Sequence, residues 1–279
     1  MTALLKDQAL HDGTVMQGFA WTGRNWLFSQ VTGDGRAGRS YEWHSSHGDV
    51  TLTLVSPSGD RLGHMFLRGF GHGISLGAER RLLGLWVWTE VLSMEDPDTG
   101  KGFGTAVARF RWRPGRTVTP QSRGVAVRQP LTGVEHVTPH LDLANGIVAV
   151  RYRRDGVVRV ARYRLGAFRR RVYAPLTVTT EPRHEGTGQG WACAGAEGWT
   201  VLARLEGDAY GPSNPPPGNA VITRYTADGA VVSREPCEIA AHLTWREPEG
   251  LLVKDGELLV GFASGQHGDR RANIYLAGQ

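Results

Sequence analysis

One local pattern recurs five times along the chain. A polar residue opens a short apolar run, a glycine-type turn follows, and a second apolar run begins. Gln17 opens QGFA, His72 lies in FGHGISLGAE, His136 opens HVTP, Gln189 opens QGWA, and Glu249 sits in EPEGLLV. Successive members are 55, 64, 53 and 60 residues apart. A degenerate repeat of this length, used five times, predicts a radial β architecture. Glycine on both sides of His72 further implies backbone packed too closely there for larger side chains.

Within each repeat the apolar runs read as four strands, the innermost first. The repeats fall near 17–68, 70–128, 134–178, 187–239 and 243–279. Hairpin signals such as Ser56-Pro57-Ser58-Gly59, Asp155-Gly156 and Asp228-Gly229 join strands within them. The 38 glycines and 14 prolines suit many strands linked by tight turns. The fifth repeat is one strand short, and residues 3–11 are the expected donor, closing the ring and removing open sheet edges. The fold class expected is all-β, a single five-bladed β-propeller of four-stranded antiparallel blades. A β-sandwich or a pair of β domains is disfavoured because no long linker divides the chain. The run PSNPPPG interrupts a hairpin within the fourth repeat.

Charge and cysteine content bound the function more loosely. The net charge is +5, but the excess is arginine spread along strands, including nine in the third repeat from Arg151 to Arg171. A solvated basic face is expected, and no nucleic-acid partner. Cys193 and Cys237 fall on inner and outer strands of one repeat, too far apart for a disulfide, so free thiols are expected. No apolar run reaches the roughly 20 residues that span a bilayer, so no membrane partner is expected. The start, MTALLKDQALHDGTV, lacks a charged segment followed by an apolar core. No signal peptide is therefore expected, and the chain should be cytoplasmic or part of a phage-like particle.

In a propeller the connections between blades share one face with those between second and third strands. Gln17, His72, His136, Gln189 and Glu249 should therefore ring the mouth of a central channel. Loops near 32–48, 93–102, 206–218 and 264–270 should stand around them, and the opposite face should carry short turns only. The ring has a plain reading, polar groups bonding channel water and backbone. It also has two sharper ones: a ligand-reading ring, or His72, His136 and Glu249 acting as acid/base groups or holding a divalent metal. No cofactor is otherwise expected. In the loops, Trp43, His44 and His47 offer an aromatic face with imidazoles that suits a sugar ring. Tyr210, after Asp208, and Gln266 and His267, beside Asp269, are further ligand-binding candidates. Glu95, Asp96 and Asp98 read as a solvated acidic loop. No nucleophile elbow or phosphate loop is present, and no spacing singles out a pair among Glu79, Glu135, Asp142 and Glu249.

LRGFGHGISLGAE with LWVWTEV, HVTPHLDLANGIVAVRY, QGWA, and EPEGLLV with LLVGFASG are similar to the β-propeller of phage receptor-binding and baseplate proteins. That family includes proteins labelled teichoic-acid biosynthesis protein C. The resemblance runs from about Thr14 to the end. It implies a five-bladed platform for binding cell-wall glycans or joining a tail assembly. It also implies a stem before the repeats and a receptor-binding tower after them. The 279 residues hold neither, so a free-standing propeller is expected here. Three functions stay open: a glycan- or cell-wall-polymer-binding propeller with tail or baseplate partners, an enzyme acting on a sugar or small molecule at the channel mouth, and a purely structural interaction module.

Overall fold

A computed structural model describes residues 2–183, 186–195, 201–208 and 219–277. Five antiparallel sheets make a five-bladed β-propeller. Blade one holds Met16–Trp21, Trp26–Val31, Val50–Val55 and Arg61–Leu67. Blade two holds Gly77–Arg81, Gly84–Glu95, Gly102–Arg111 and Ala126–Arg128. Blade three holds Glu135–Asp142, Ile147–Arg154, Val157–Arg164 and Thr177–Thr180. Blade four holds Gly188–Ala194, Val201–Glu206, Val221–Thr226 and Val231–Pro236. Blade five holds Glu247–Lys254, Glu257–Ser264 and Arg271–Leu276, with Ala3–Ala9 as its outermost strand. The N-terminal strand thus closes the last blade, as the missing strand required.

The first strand of each blade is its innermost, and these five strands touch in ring order, the fifth meeting the first. Glycine permits the approach. A Cβ on Gly190 would collide with the backbone of Gly250, and one on Gly18 would lie 2.8 Å from the Ile74 carbonyl oxygen. Between blades, apolar side chains such as Leu54, Val87, Phe110, Trp88 and Val150 form the core. Cys193 and Cys237 are buried free thiols.

Three expectations need correcting. The inner strand of blade two begins at Gly77, not at Phe70, because residues 70–76 are bent around a buried carboxylate described below. The opposite face carries more than short turns. Residues 112–125 run from blade two to lay Thr117–Val118 parallel against Arg61–Leu67, giving blade one a fifth strand. Residues 165–176 also make a long connection, with the helix Leu165–Arg169 at its start. Finally, the arginines of the third repeat are not simply solvated. Arg162 is buried and donates to the Gly195 carbonyl at 2.6 Å, while Arg151 grips Glu181 through two bonds of 2.8 and 3.0 Å.

Candidate functional site

Four of the five repeat-marking residues occupy bulges of the innermost strands. The ladder slips between Met16 and Gly18, Glu135 and Thr138, Gly188 and Gly190, and Pro248 and Leu251. Gln17, His136, Gln189 and Glu249 fall within those slips, and His136 has φ 51. A bulge adds one unpaired residue and re-aims its side chain, so a common position recurs in four blades. Gln17 is buried and Gln189 half-buried.

His72 reaches the mouth by another route. Glu90, fully buried in blade two, accepts the Gly73 and Gly104 N–H groups, each at 2.6 Å. The His72 and Ile74 N–H groups bond it too. A Cβ on Gly71 would overlap the Glu90 carboxylate, while one on Gly73, at φ 87, would press on Ser29 of blade one. Burial pushes the Glu90 carboxyl up to about 7, against the pull of those four amides.

The mouth has two unlike halves. On the side of blades two and three, Phe103 stacks on His136 with centroids 4.0 Å apart and lies 5.2 Å from His72. His136 Nε2 bonds Asp96 at 2.6 Å, and Arg153 bonds both Asp96 (2.6 Å) and Glu135 (2.7 Å). Asp96 is therefore a buried anchor, not a solvated loop acid. Burial alone would raise it, but His136 and Arg153 outweigh that and hold it at about 2. His72 has its Nδ1 buried without a partner among the described residues. Burial, with Lys101 and His136 nearby, drives its imidazole down to about 3. That shift favours the neutral imidazole.

On the side of blades five and one, Glu247 and Glu249 are two apart on a strand and hydrogen-bond one another. Burial and then Glu247 raise Glu249 well above the carboxylate range, so Glu249 holds the proton and donates it to Glu247. Arg270 bonds Glu247 at 2.6 Å. Tyr41 completes this half, its hydroxyl raised by burial and by both glutamates. Exposed Lys101 is close enough to act on His72 and on both glutamates, and so stands between the halves.

Beside this half opens a cleft of about 420 Å³, lined by Tyr41, Trp245, Glu247, Gln266, His267 and Arg270 among others. The structure brings Gln266 and His267 together with the acidic pair. Tyr41 arrives there because residues 41–47, expected as loop, form the helix Tyr41–His47, with Ser40 capping the Trp43 N–H and Gly48 ending it in the left-handed region. His44 lies on this helix but is buried and fully engaged, bonding Asp49 at 2.8 Å and the Arg36 carbonyl at 3.1 Å. It pins the helix and is closed to a ligand. Trp43, half-buried, stacks on exposed His47 at 3.9 Å, away from the cleft lining. Tyr210 lies outside the described residues. Glu79, Glu135 and Asp142 are tied into local bonds to Arg169, Arg153 and the Gly195 N–H. Among the described residues no three His, Cys, Asp or Glu gather as a metal ion requires, and His72, His136 and Glu249 are no exception.

Sequence reasoning passed over Tyr41, Lys101, Trp245, Glu247 and Arg270. Glu247 had a usable signal: it lies two residues before Glu249, the spacing at which strand residues ordinarily share a face. Ser40 and Gly48 likewise marked a helix start and stop.

The resemblance read from the repeat motifs holds. The chain is 24% identical over 240 residues to the putative major teichoic acid biosynthesis protein C of Bacillus subtilis (strain 168), covering 80% of this chain and 51% of that protein. It superposes on the tail fiber of Staphylococcus aureus phage P68 with TM-score 0.67 and 16% identity, over 97% of this chain and 52% of that one. The GH43_1 enzyme from Xanthomonas citri complexed with xylotriose matches with TM-score 0.51 and 12% identity, over 99% and 90% of the two chains. The chain thus spans about half the length of its curated relative and of the tail fiber. No family model matches it. Likeness at these identities shows the propeller fold, which phage fibers and sugar-acting enzymes share. No helix among the described residues is long and apolar enough to cross a membrane.

Proposed function

We propose that this propeller binds a glycan or cell-wall polymer in the cleft between blades five and one, as part of a phage-tail-like or baseplate-like assembly. The observation that carries the reading is the cleft's composition. Trp245 and Tyr41 supply aromatic surface for a sugar face, while Glu247, Arg270, Gln266 and His267 supply donors and acceptors for hydroxyls. Trp245 is held at φ 53, a strained backbone for a bulky residue, of the kind that clusters at ligand sites. The tail fiber and the xylotriose-bound enzyme that share the fold support the same ligand class. The reading calls for no cofactor. A glycan array of bacterial wall polysaccharides probed with the wild type and Trp245→Ala tests it. Binding to a subset of glycans, weakened at least about tenfold by the substitution, is expected. Absence of binding across the array refutes the reading.

A second reading, an enzyme at the same mouth, is favoured by one observation: a buried, protonated Glu249 beside a carboxylate and a cleft. Such a group is poised to give up a proton. The pair itself does not have glycosidase geometry, because acid and nucleophile or base flank a sugar bond at about 5–9.5 Å and do not bond each other. An enzyme would therefore use Glu249 with a different partner, in a cytoplasmic setting. Release of reducing sugar from array ligands by the wild type, abolished in Glu249→Gln, would establish it.

A further inference from the structure

On the rim between blades one and two lies a second cleft of about 410 Å³, which shares no lining residue with the cleft beside Glu247. Its floor includes Trp86, its edge includes Leu83, and Arg111, Arg113, Arg116 and Arg123 crown it. Leu83 and the neighbouring Leu82 form a hairpin tip with both side chains exposed, at 71% and 105%. The arginines belong to a stretch, residues 99–134, with seven basic and no acidic residues.

Two features set this crown apart. First, several less exposed arginines are paired with carboxylates: Arg109 meets Glu79, Arg153 meets Asp96 and Glu135, and Arg204 meets Glu181 and Glu206. The four crown guanidinium groups, all exposed, have no carboxylate within ion-pair distance among the described residues. Second, the crown is held in place. The connection carrying Arg113, Arg116 and Arg123 is tied to the edge of blade one through Phe66 N–H to the Arg116 carbonyl (2.9 Å), Arg68 N–H to the Val118 carbonyl (2.9 Å), and Gly115 N–H to the His64 carbonyl (2.7 Å). With the backbone that carries them fixed, binding has only the arginine side chains left to order.

We propose that this cleft docks a protein segment in which carboxylates flank an apolar side chain. The charge complement is four guanidinium groups against acidic residues, and guanidinium forks match carboxylates two bonds at a time. The apolar part decides the class of partner. Trp86 and the two exposed leucines offer the aromatic and aliphatic anchors of a protein interface, which a phosphate polymer has no use for.

The test uses a fluorescein-labelled peptide of about twelve residues alternating glutamate with leucine around one tryptophan, read by anisotropy at low salt. Polyglutamate of equal charge and inorganic polyphosphate serve as comparison probes. Saturable binding of the peptide is expected, at least about tenfold tighter than polyglutamate and at least about tenfold weaker in the Arg113→Glu/Arg123→Glu variant. Both sites are exposed, so the variant should keep its circular dichroism and its glycan-array profile. No binding of the peptide, equal binding by the variant, or polyphosphate binding as tightly as the peptide would each overturn the proposal, the last in favour of a phosphate polymer.

Discussion

Two regions of the molecule bury carboxylates with arginines, and they resolve the charge differently. Between blades three and four, Glu181 is fully buried and accepts from Arg151 (2.8 and 3.0 Å), Arg204 (3.2 Å) and the Tyr225 hydroxyl (3.3 Å). Arg204 also meets Glu206 at 2.9 Å. Burial alone would raise Glu181, but the two guanidinium groups outweigh it and hold the carboxyl at about 2. At the channel mouth Arg270 bonds Glu247 alone, and Glu249 is left holding a proton against Glu247, which lines the cleft. The first cluster is a closed staple between blades. The second keeps a buried, strongly raised glutamate next to a carboxylate that lines a cleft, a combination that makes it a candidate site.

The contrast can be broken most severely at the staple. Glu181→Ala leaves two buried guanidinium groups without their shared partner and should cost about 3–5 kcal/mol in denaturant unfolding. A loss under about 1 kcal/mol would mean the cluster is not the staple described.

The next effect is acid sensitivity. Asp96 and Glu181 lie below their unfolded values of 3.8 and 4.5, so the stability they add is complete above those values and lost as pH falls toward about 2. Buried His72, at about 3, and His140, at about 4, stay neutral while the unfolded chain takes up protons below 6.5, which acts in the same direction. Glu90 and Glu249 oppose them. Their raised values give stability that is full below 4.5 and falls as pH rises, for Glu90 through about 7. Urea melts should show a shallow dependence between pH 5 and 6.5 and a steep loss below pH 4.

A smaller effect separates the two clusters directly. Glu249→Gln keeps a donor for Glu247 but removes the group that resists ionising. Its midpoint of unfolding should match the wild type near pH 4 and exceed it increasingly above that. A variant less stable at pH 8 would show that Glu249 is ionised in the fold. The least effect is expected from Trp43→Ala, outside the cleft lining: glycan binding within about threefold of wild type, and stability within about 1 kcal/mol.

The fold was legible because its signals were local and repeated. Strands Trp26–Val31 and Arg61–Leu67 and the hairpin at Asp155-Gly156 could be read from alternation and turn chemistry. Closure by the N-terminal strand followed from counting strands. The glycines after Gln17, His72, Gln189 and Glu249 record the crowding of inner strands, so the repeat also marked the axis. The site was legible only in part. His44 and His47 look alike in sequence, yet one is locked on Asp49 and the other, at the helix's last position, is exposed and stacks on Trp43. Arg270 meets Glu247 across blade five, 23 residues away, and Lys101 nears the glutamates from blade two, relations with no local trace. Asp96 looked solvated because its partners His136 and Arg153 come from the next blade.

The most direct measurement is a titration of one array-selected oligosaccharide into the protein labelled at its indole nitrogens. The account predicts that the Trp245 signal shifts on saturation, and that Trp245→Ala binds at least about tenfold more weakly while Trp43→Ala does not. A saturable shift confined to other tryptophans, with Trp245→Ala binding as wild type does, would contradict the placement of the ligand between blades five and one.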